Sequence, residues 1–388
     1  MNTPDTGAAC RVLLVTTSMM TGGAETQVFL LARELRRRGH DVAIVSMRKP
    51  EAYQTELAAL GIPLVSLGMQ RGVADPRAVL RLAGEGRRRQ PDVVHSHMVH
   101  ANLLTRLTRL LAPMPVQVST AHNLTEGARW RDLAYRLTDP LCTLTTNVCP
   151  ECVERFVAAG AVPRRKIRYL PNGLDVGAFA RDERAGVEVR RALGAGAAFV
   201  WLAVGRLEAQ KDYPTMLRAV AAVGGQSGGL DLWVAGGGPE LAELERQRAA
   251  LGLPAEQVRF LGHRGDIPAL MAAADGYLMS SAWEGLPMVL LEAAVARLPL
   301  VATDVGGNRE VVESGVDGLL VPPHRSEALA QAMQQVMAMP EDERTRWGWA
   351  GRSKVERVFA IERVVDRWEA LYLELLERRR AVRAAAQG

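Results

Sequence analysis

The sequence predicts an α/β protein made of two doubly wound parallel sheets, one after the other. Three observations carry that prediction. Short β-branched apolar runs alternate with helical-period segments from end to end. The runs are apolar at consecutive positions, so both faces of each strand are buried, as in parallel sheets flanked by helices. The alternation happens twice, on either side of a polar, turn-rich stretch after residue 170, and 388 residues suffice for two cores of roughly 150–200 residues each.

In the first set, strands are expected at Arg11 (RVLLVTT), His40 (HDVAIVSM), Ile62 (IPLVSLG), Asp92 (DVVHSH), Val116 (VQVSTAH), Leu141 (LCTLTTN) and Ile167 (IRYLPN). Between them lie amphipathic stretches such as ETQVFLLARELRRRG, apolar at every third or fourth position. The second set is FVWLAVGRL (Phe199), LDLWVAGGG (Leu230), QVRFLGH (Gln257), DGYLMSS (Asp275), PLVATDVGG (Pro299) and GLLVPP (Gly318). The boundary is expected within PNGLDVGAFARDERAG, where Pro171, an Asn-Gly turn signal and a polar run close the first set. That gives a first domain over 1–174 and a second over 175–360. Residues 361–388 form a closing helix, long enough to leave the second domain and brace the first. Open parallel sheets bind ligands beyond the carboxyl ends of their strands. The expected chemistry therefore lies in a cleft where the two sheets face each other.

Composition narrows the class. At 48% hydrophobic and 23% charged the chain is neither disordered nor fibrous. The opening MNTPDTGAACRVLLVTT lacks a basic region followed by a long apolar one, and no uncharged run approaches the roughly 20 residues that span a bilayer. A cytoplasmic protein without an export signal is expected. Cys149 and Cys152 form a C-x-x-C pair with no further ligands nearby, which reads as reduced, structural cysteines at a helix start. Residues 1–172 hold 23 Lys and Arg against 14 Asp and Glu, net +9, and the remainder 25 against 29, net −4. The basic runs RELRRRGH and GRRRQP suit an anionic surface, membrane phospholipid or a phosphorylated acceptor, and equally a solvated helix face. Nucleic acid is disfavoured, since these runs lack interleaved aromatics and aromatic content is 5%.

Several strand ends carry candidate chemistry. Gly22 and Gly23 precede a helix, so the backbone can approach a ligand closely and free N–H groups point at an anion; VAGGGPELAEL repeats that logic. The spacing is not G-x-G-x-x-G. In VGRLEAQKDYP, Arg206 and Lys211 directly follow a strand. The chain has four lysines, Lys49, Lys166, Lys211 and Lys354, so a lysine here departs from its habitual arginine. A compact charge beside a diphosphate is consistent with the choice, with the arginine fork taking several oxygens, and an ordinary surface cation fits equally. No Asp-x-Asp occurs, which removes the usual holder of a divalent metal on a nucleotide diphosphate; cations and a helix N-terminus can do that work. His95, His97 and His100 have no carboxylate to complete a metal site and read as hydrogen-bonding strand-end histidines. His122 closes a strand of the first domain and is expected to face the same cleft as Gly22 and Gly23.

Taken together, GGAE from Gly22, PNGLD, VGRLEAQKD, GGGP, FLGH and SSAWEGLPMVLLEAAVARLPLVATDVGGNREVV resemble glycosyltransferase family 4, retaining transferases of GT-B fold, over nearly the whole chain. The resemblance implies that Arg206 and Lys211 neutralise the donor diphosphate, helped by backbone N–H groups at Gly22, Gly23 and the helix start Gly285, Leu286, Pro287, Met288, Val289. Glu284 would bind the donor sugar hydroxyls, Glu292 the ribose, and His122 would lie against the transferred sugar. A UDP- or GDP-sugar donor and no bound metal or cofactor are implied. The chain looks most similar to bacterial enzymes extending lipid-linked capsule, exopolysaccharide or lipopolysaccharide chains, which fits work at the inner face of an anionic membrane. A nucleotide-sugar epimerase or hydrolase on the same fold, or a silent nucleotide-sugar binding protein, are the alternatives.

Overall fold

The computed structural model describes residues 9–123, 129–224 and 229–386. Residues 1–8, on which the reading of an absent export signal partly rests, and Leu124 lie outside them. The chain divides into two compact units, residues 1–173 with 361–388, and residues 174–360.

The first unit is built on seven parallel strands, β1 (Arg11–Thr16), β2 (Asp41–Arg48), β3 (Leu64–Met69), β4 (Val93–His97), β5 (Val116–Ala121), β6 (Leu144–Asn147) and β7 (Ile167–Tyr169). Their order is β3-β2-β1-β4-β5-β6-β7. The central strands β4 and β5 are buried along their whole length, which is why their sequences do not alternate. The helix Ile361–Ala385 belongs to this unit. Its Ile361, Val364, Val365, Trp368, Leu371, Tyr372 and Leu375 recur at three and four residues and share one core with Val12, Leu14, Leu31, Val93 and Val116.

The second unit holds six parallel strands, β8 (Phe199–Val204), β9 (Leu230–Ala235), β10 (Val258–Gly262), β11 (Gly276–Met279), β12 (Leu300–Thr303) and β13 (Gly318–Val321), in the order β10-β9-β8-β11-β12-β13. Trp201, Leu232, Val234, Leu278 and Val301 fill its centre. In each sheet the strand order reverses once, beside β1 in the first unit and beside β8 in the second. The crevice at such a reversal is where open α/β sheets take their ligands.

The basic runs are largely neutralised from within. Arg37 and Arg38 both bind Glu34, and Arg38 also reaches Asp366 and Glu369 on the C-terminal helix. Arg88 and Arg89 share Glu85. Four of these arginines are therefore held in ion pairs, within their own helices or, for Arg38, also across to the C-terminal helix. No helix among the described residues is long and apolar enough to cross a membrane. Cys149 caps the helix Pro150–Ala158, its sulfur accepting the Cys152 amide, and both cysteines are buried.

Candidate active site

Both strands at the reversal of the second sheet deliver polar residues at their carboxyl ends. After β8 the chain runs through Gly205 and Arg206 into a single 3-10 turn ending at Lys211. After β11 it runs through Ser280 and Ser281 to Glu284. The two loops are tied together by backbone and side chain. The Ala282 amide donates to the Gln210 carbonyl at 2.8 Å, and the Ser280 hydroxyl donates to the carbonyls of Lys211 at 2.8 Å and Asp212 at 2.9 Å.

This seam brings Lys211 onto Glu284. Lys211 Nζ donates to Glu284 Oε1 at 2.5 Å, Ser281 Oγ to the same oxygen at 2.7 Å, and Gln210 Nε2 to Oε2 at 3.2 Å. Glu284 is only 5% exposed, so its carboxylate is satisfied by three donors instead of by water. Its position is fixed from behind by Gly306 and Gly307 after β12. Gly306 has φ +53, and a Cβ there would overlap the Glu284 carbonyl; the Gly307 amide donates to the Gly285 carbonyl at 2.6 Å.

The helix that follows spans Met288–Val295, with Pro287 as its N-cap and without a side-chain cap. Pro287 thus precedes the helix and does not occupy its first turn. The amides of Met288 and Val289 take no backbone acceptor among the described residues, so this N-terminus keeps free donors and a positive partial charge. Glu292 lies one turn inside the helix, and no side chain among the described residues donates to its carboxylate. Burial alone raises its carboxyl to about 7. Arg206 stands apart from this group: its side chain is 70% exposed and pairs with Glu208 at 3.0 Å.

The three glycines 236–238 serve close packing of the chain against itself. Gly236 has φ +143, and a Cβ on it would overlap the Gly205 carbonyl; one on Gly238 would overlap Leu207. They let the β9 turn pack against the loop that carries Arg206.

In the first unit, Gly22 is the N-cap of the helix Gly23–Arg37. The Glu25 carboxylate accepts from Ser18 Oγ at 2.6 Å and lies so close to Gly22 that a Cβ there would come within 2.7 Å of it. His97 ends β4 and His122 follows β5; His97 Nδ1 and His122 Nε2 are 3.1 Å apart with rings stacked at 5.3 Å. Deeper still, His95 bridges Tyr372 Oη at 2.7 Å and Thr120 Oγ1 at 2.6 Å. Burial depresses all three imidazoles, His122 to about 4 against a hydrogen bond with Asn172, and His95 and His97 well below the ordinary histidine value. They are neutral at pH 7. Among the described residues no group of three or more His, Cys, Asp or Glu is arranged to hold a metal ion. The contacts that sequence alone missed are Gln210, Ser281 and His97. His97 was visible as a strand-end histidine, but nothing in the sequence pairs Gln210 with a residue 74 positions later.

The chain matches the family described as Glycosyltransferase Family 4 over residues 21–177 and that described as Glycosyl transferases group 1 over residues 189–354. EpsF of Bacillus subtilis (strain 168), named as a glycosyltransferase, is 30% identical over 333 residues, covering 82% of this chain and 85% of EpsF. The chain belongs to glycosyltransferase family 4. The transferase is also 25% identical over 320 residues to the UDP-Gal:alpha-D-GlcNAc-diphosphoundecaprenol alpha-1,3-galactosyltransferase of Escherichia coli, over 78% of this chain and 81% of that one. Among solved structures, Anabaena Alr3699/HepE in complex with UDP-glucose matches with a TM-score of 0.82 at 24% identity, over 94% of the transferase and 99% of that chain. That likeness is one of fold, and the fold is GT-B.

Proposed function

We propose that the transferase moves a sugar from a UDP- or GDP-sugar to a hydroxyl of a growing, lipid-linked glycan in bacterial surface polysaccharide synthesis. Retention at the anomeric carbon and independence of a bound metal are part of this reading. The observation that carries it is the buried Lys211–Glu284 pair at the reversal point of the second sheet. It sets a cation for the diphosphate next to a carboxylate for sugar hydroxyls.

Breaking the anomeric bond requires negative charge to be stabilised on the departing diphosphate. Lys211 supplies one cation, and the free amides of Met288 and Val289 supply donors at a helix N-terminus. Arg206, exposed and held among the described residues only by Glu208, can turn onto the phosphates. Glu284 accepts from the sugar hydroxyls and Glu292 from the ribose. His122, neutral and oriented by His97, offers a hydrogen bond to the transferred sugar without adding charge. A same-face path, in which the departing phosphate oxygen takes the acceptor proton, needs no protein base and gives retention. Gly22 and Gly23 open a helix whose amides extend the phosphate contacts.

The names of the relatives support the substrate classes. The E. coli protein is named for a UDP-Gal donor and a lipid diphosphate acceptor, and the Anabaena structure is a UDP-glucose complex. Association with the inner face of the membrane rests on the basic surplus of the first unit, although several arginines of its basic runs are engaged in ion pairs.

The test is to incubate the transferase with a panel of nucleotide sugars and follow free nucleotide with and without lipid-linked acceptor, then assign the product anomer by NMR. Turnover only with acceptor, and a product of the donor's anomeric configuration, is expected. An altered nucleotide sugar without acceptor would mean epimerisation, and binding without turnover a silent protein.

A further inference from the structure

The second unit has a cavity of about 470 Å³ at the opposite end of its sheet from the Lys211–Glu284 pair. Asp275 and Pro299, which line it, immediately precede β11 and β12, so it lies at the amino ends of strands whose carboxyl ends carry the donor residues. Its wall sets Arg181, Arg297 and Arg344 against Glu183, Asp275 and Glu341, yet two of the arginines are poorly paired. Arg297 follows the helix Met288–Val295 with φ +63, a left-handed position that glycine normally fills. Its backbone is clamped by the helix Glu341–Val358, where a Cβ on Gly348 would overlap the Arg297 carbonyl.

The side chain retained at that cost is poorly compensated. Arg297 Nε is buried without an acceptor among the described residues. The nearest carboxylate oxygen, Glu183 Oε1, is 3.8 Å away on a side chain 81% exposed. The guanidinium instead lies over the exposed Trp349 ring, 4.8 Å from its centroid. Arg181 beside it donates one long hydrogen bond, 3.4 Å, to the Ala296 carbonyl and makes no ion pair among the described residues. Burial and the charge of Arg297 both work against its cation. Asp275 and Glu183 offset this only in part, and Asp275 Oδ2 is already taken by Arg190 at 2.9 Å and the Val200 amide at 2.8 Å. Glu341 sits at a helix N-terminus, which already favours its charge.

We propose that this cavity is a phosphate-binding site, in which Arg181 and Arg297 grip the phosphate group of a small ligand and Trp349 walls the remainder. Two guanidinium forks match the oxygens of a phosphate, and the anion supplies the acceptor that Arg297 Nε lacks. Nothing in the donor chemistry uses this end of the sheet.

Isothermal titration in phosphate-free chloride buffer tests it, with inorganic phosphate and glucose 1-phosphate as separate probes at matched ionic strength. Saturable binding of inorganic phosphate is expected, weakened at least tenfold in Arg297→Gly and in Arg181→Gln, and unchanged in Lys211→Ala and with saturating UDP present. Arg297→Gly suits the left-handed backbone, so lost binding there is not lost folding; a thermal midpoint at or above wild type checks this. Tighter binding of glucose 1-phosphate, reduced to the level of phosphate in Trp349→Ala, upholds the site and assigns it to phosphorylated sugars. Equal binding of the two probes upholds it and assigns it to free phosphate. No saturable binding beyond chloride, undiminished binding in the two arginine variants, or loss of binding in Lys211→Ala overturns the proposal.

Discussion

Lys211 Nζ lies 2.5 Å from Glu284 Oε1, so each residue is the other's counter-charge. Lys211→Ala and Glu284→Ala should each lower turnover by on the order of 10²-fold or more, the scale for losing one charge-stabilising contact. Because the residues act on each other, the double variant should cost less than the product of the two. Steady-state release of nucleoside diphosphate measures this, and near-normal rates in both single variants would remove the donor-site assignment. Glu284→Ala should also cost stability, about 1–3 kcal/mol, since it strands Lys211, Ser281 and Gln210 without their shared acceptor.

Glu292 gives the second unit a pH dependence of known sign. Burial raises its carboxyl from 4.5 to about 7, so the folded form holds a proton that the unfolded chain has already released. Stability from this group is greatest below pH 4.5 and falls as pH rises towards 7, by at most about 1.4 kcal/mol per pH unit. Glu292→Gln should flatten that slope. Denaturant titrations of both proteins at pH 5 and pH 8 should show the wild type relatively stronger at pH 5.

The histidines act the other way in the first unit. Burial lowers His122 to about 4 and holds His95 and His97 well below their ordinary 6.5. Unfolded histidines take up protons below pH 6.5 and these do not, so stability is complete above 6.5 and is lost as pH falls towards 4. Hydrogen exchange over β4 and β5 should accelerate in that window. His122→Gln should lessen the effect while lowering turnover by roughly 10-fold or more. Between pH 6 and 8 the rate profile should show no ionisation from His122.

Gly306→Ala tests how Glu284 is held. The position has φ +53 and no room for a Cβ beside the Glu284 carbonyl, so alanine adds backbone strain of about 1 kcal/mol and a steric push on that loop. Turnover should drop at least tenfold with the donor-binding side chains all intact. Unchanged kcat and KM would show that the Glu284 loop tolerates displacement.

What was legible in the sequence follows physical range. Strands such as β8 were readable because a strand buried on both faces is apolar at successive positions, a local signature; β4 and β5 are as deeply buried but carry His95, Ser96, Gln117 and Ser119, and show it less clearly. Glu284 and Lys211 stood out by type and context. Their union was not readable, because it depends on β8 and β11 being neighbours although β9 and β10 intervene in sequence. The ion pairs that quiet the arginine runs were hidden for the same reason: Asp366 and Glu369 lie more than 300 residues beyond Arg38. Glycine roles were legible only as backbone permissiveness. At Gly236 and Gly238 what approaches the backbone is the chain itself, and a glycine looks the same in either case.

The return of the helix Ile361–Ala385 to the first unit imposes an order on the birth of the protein. When the ribosome has completed residue 173, the first sheet has all seven strands but lacks Trp368 and Tyr372, which cover His95. The second unit is contiguous, residues 174–360, and is fully synthesised before that cover emerges. The domain begun first is therefore the domain finished last. A nascent chain released before residue 361 would carry a complete second unit beside a first unit with its core face open, the form that chaperones and proteases would meet first.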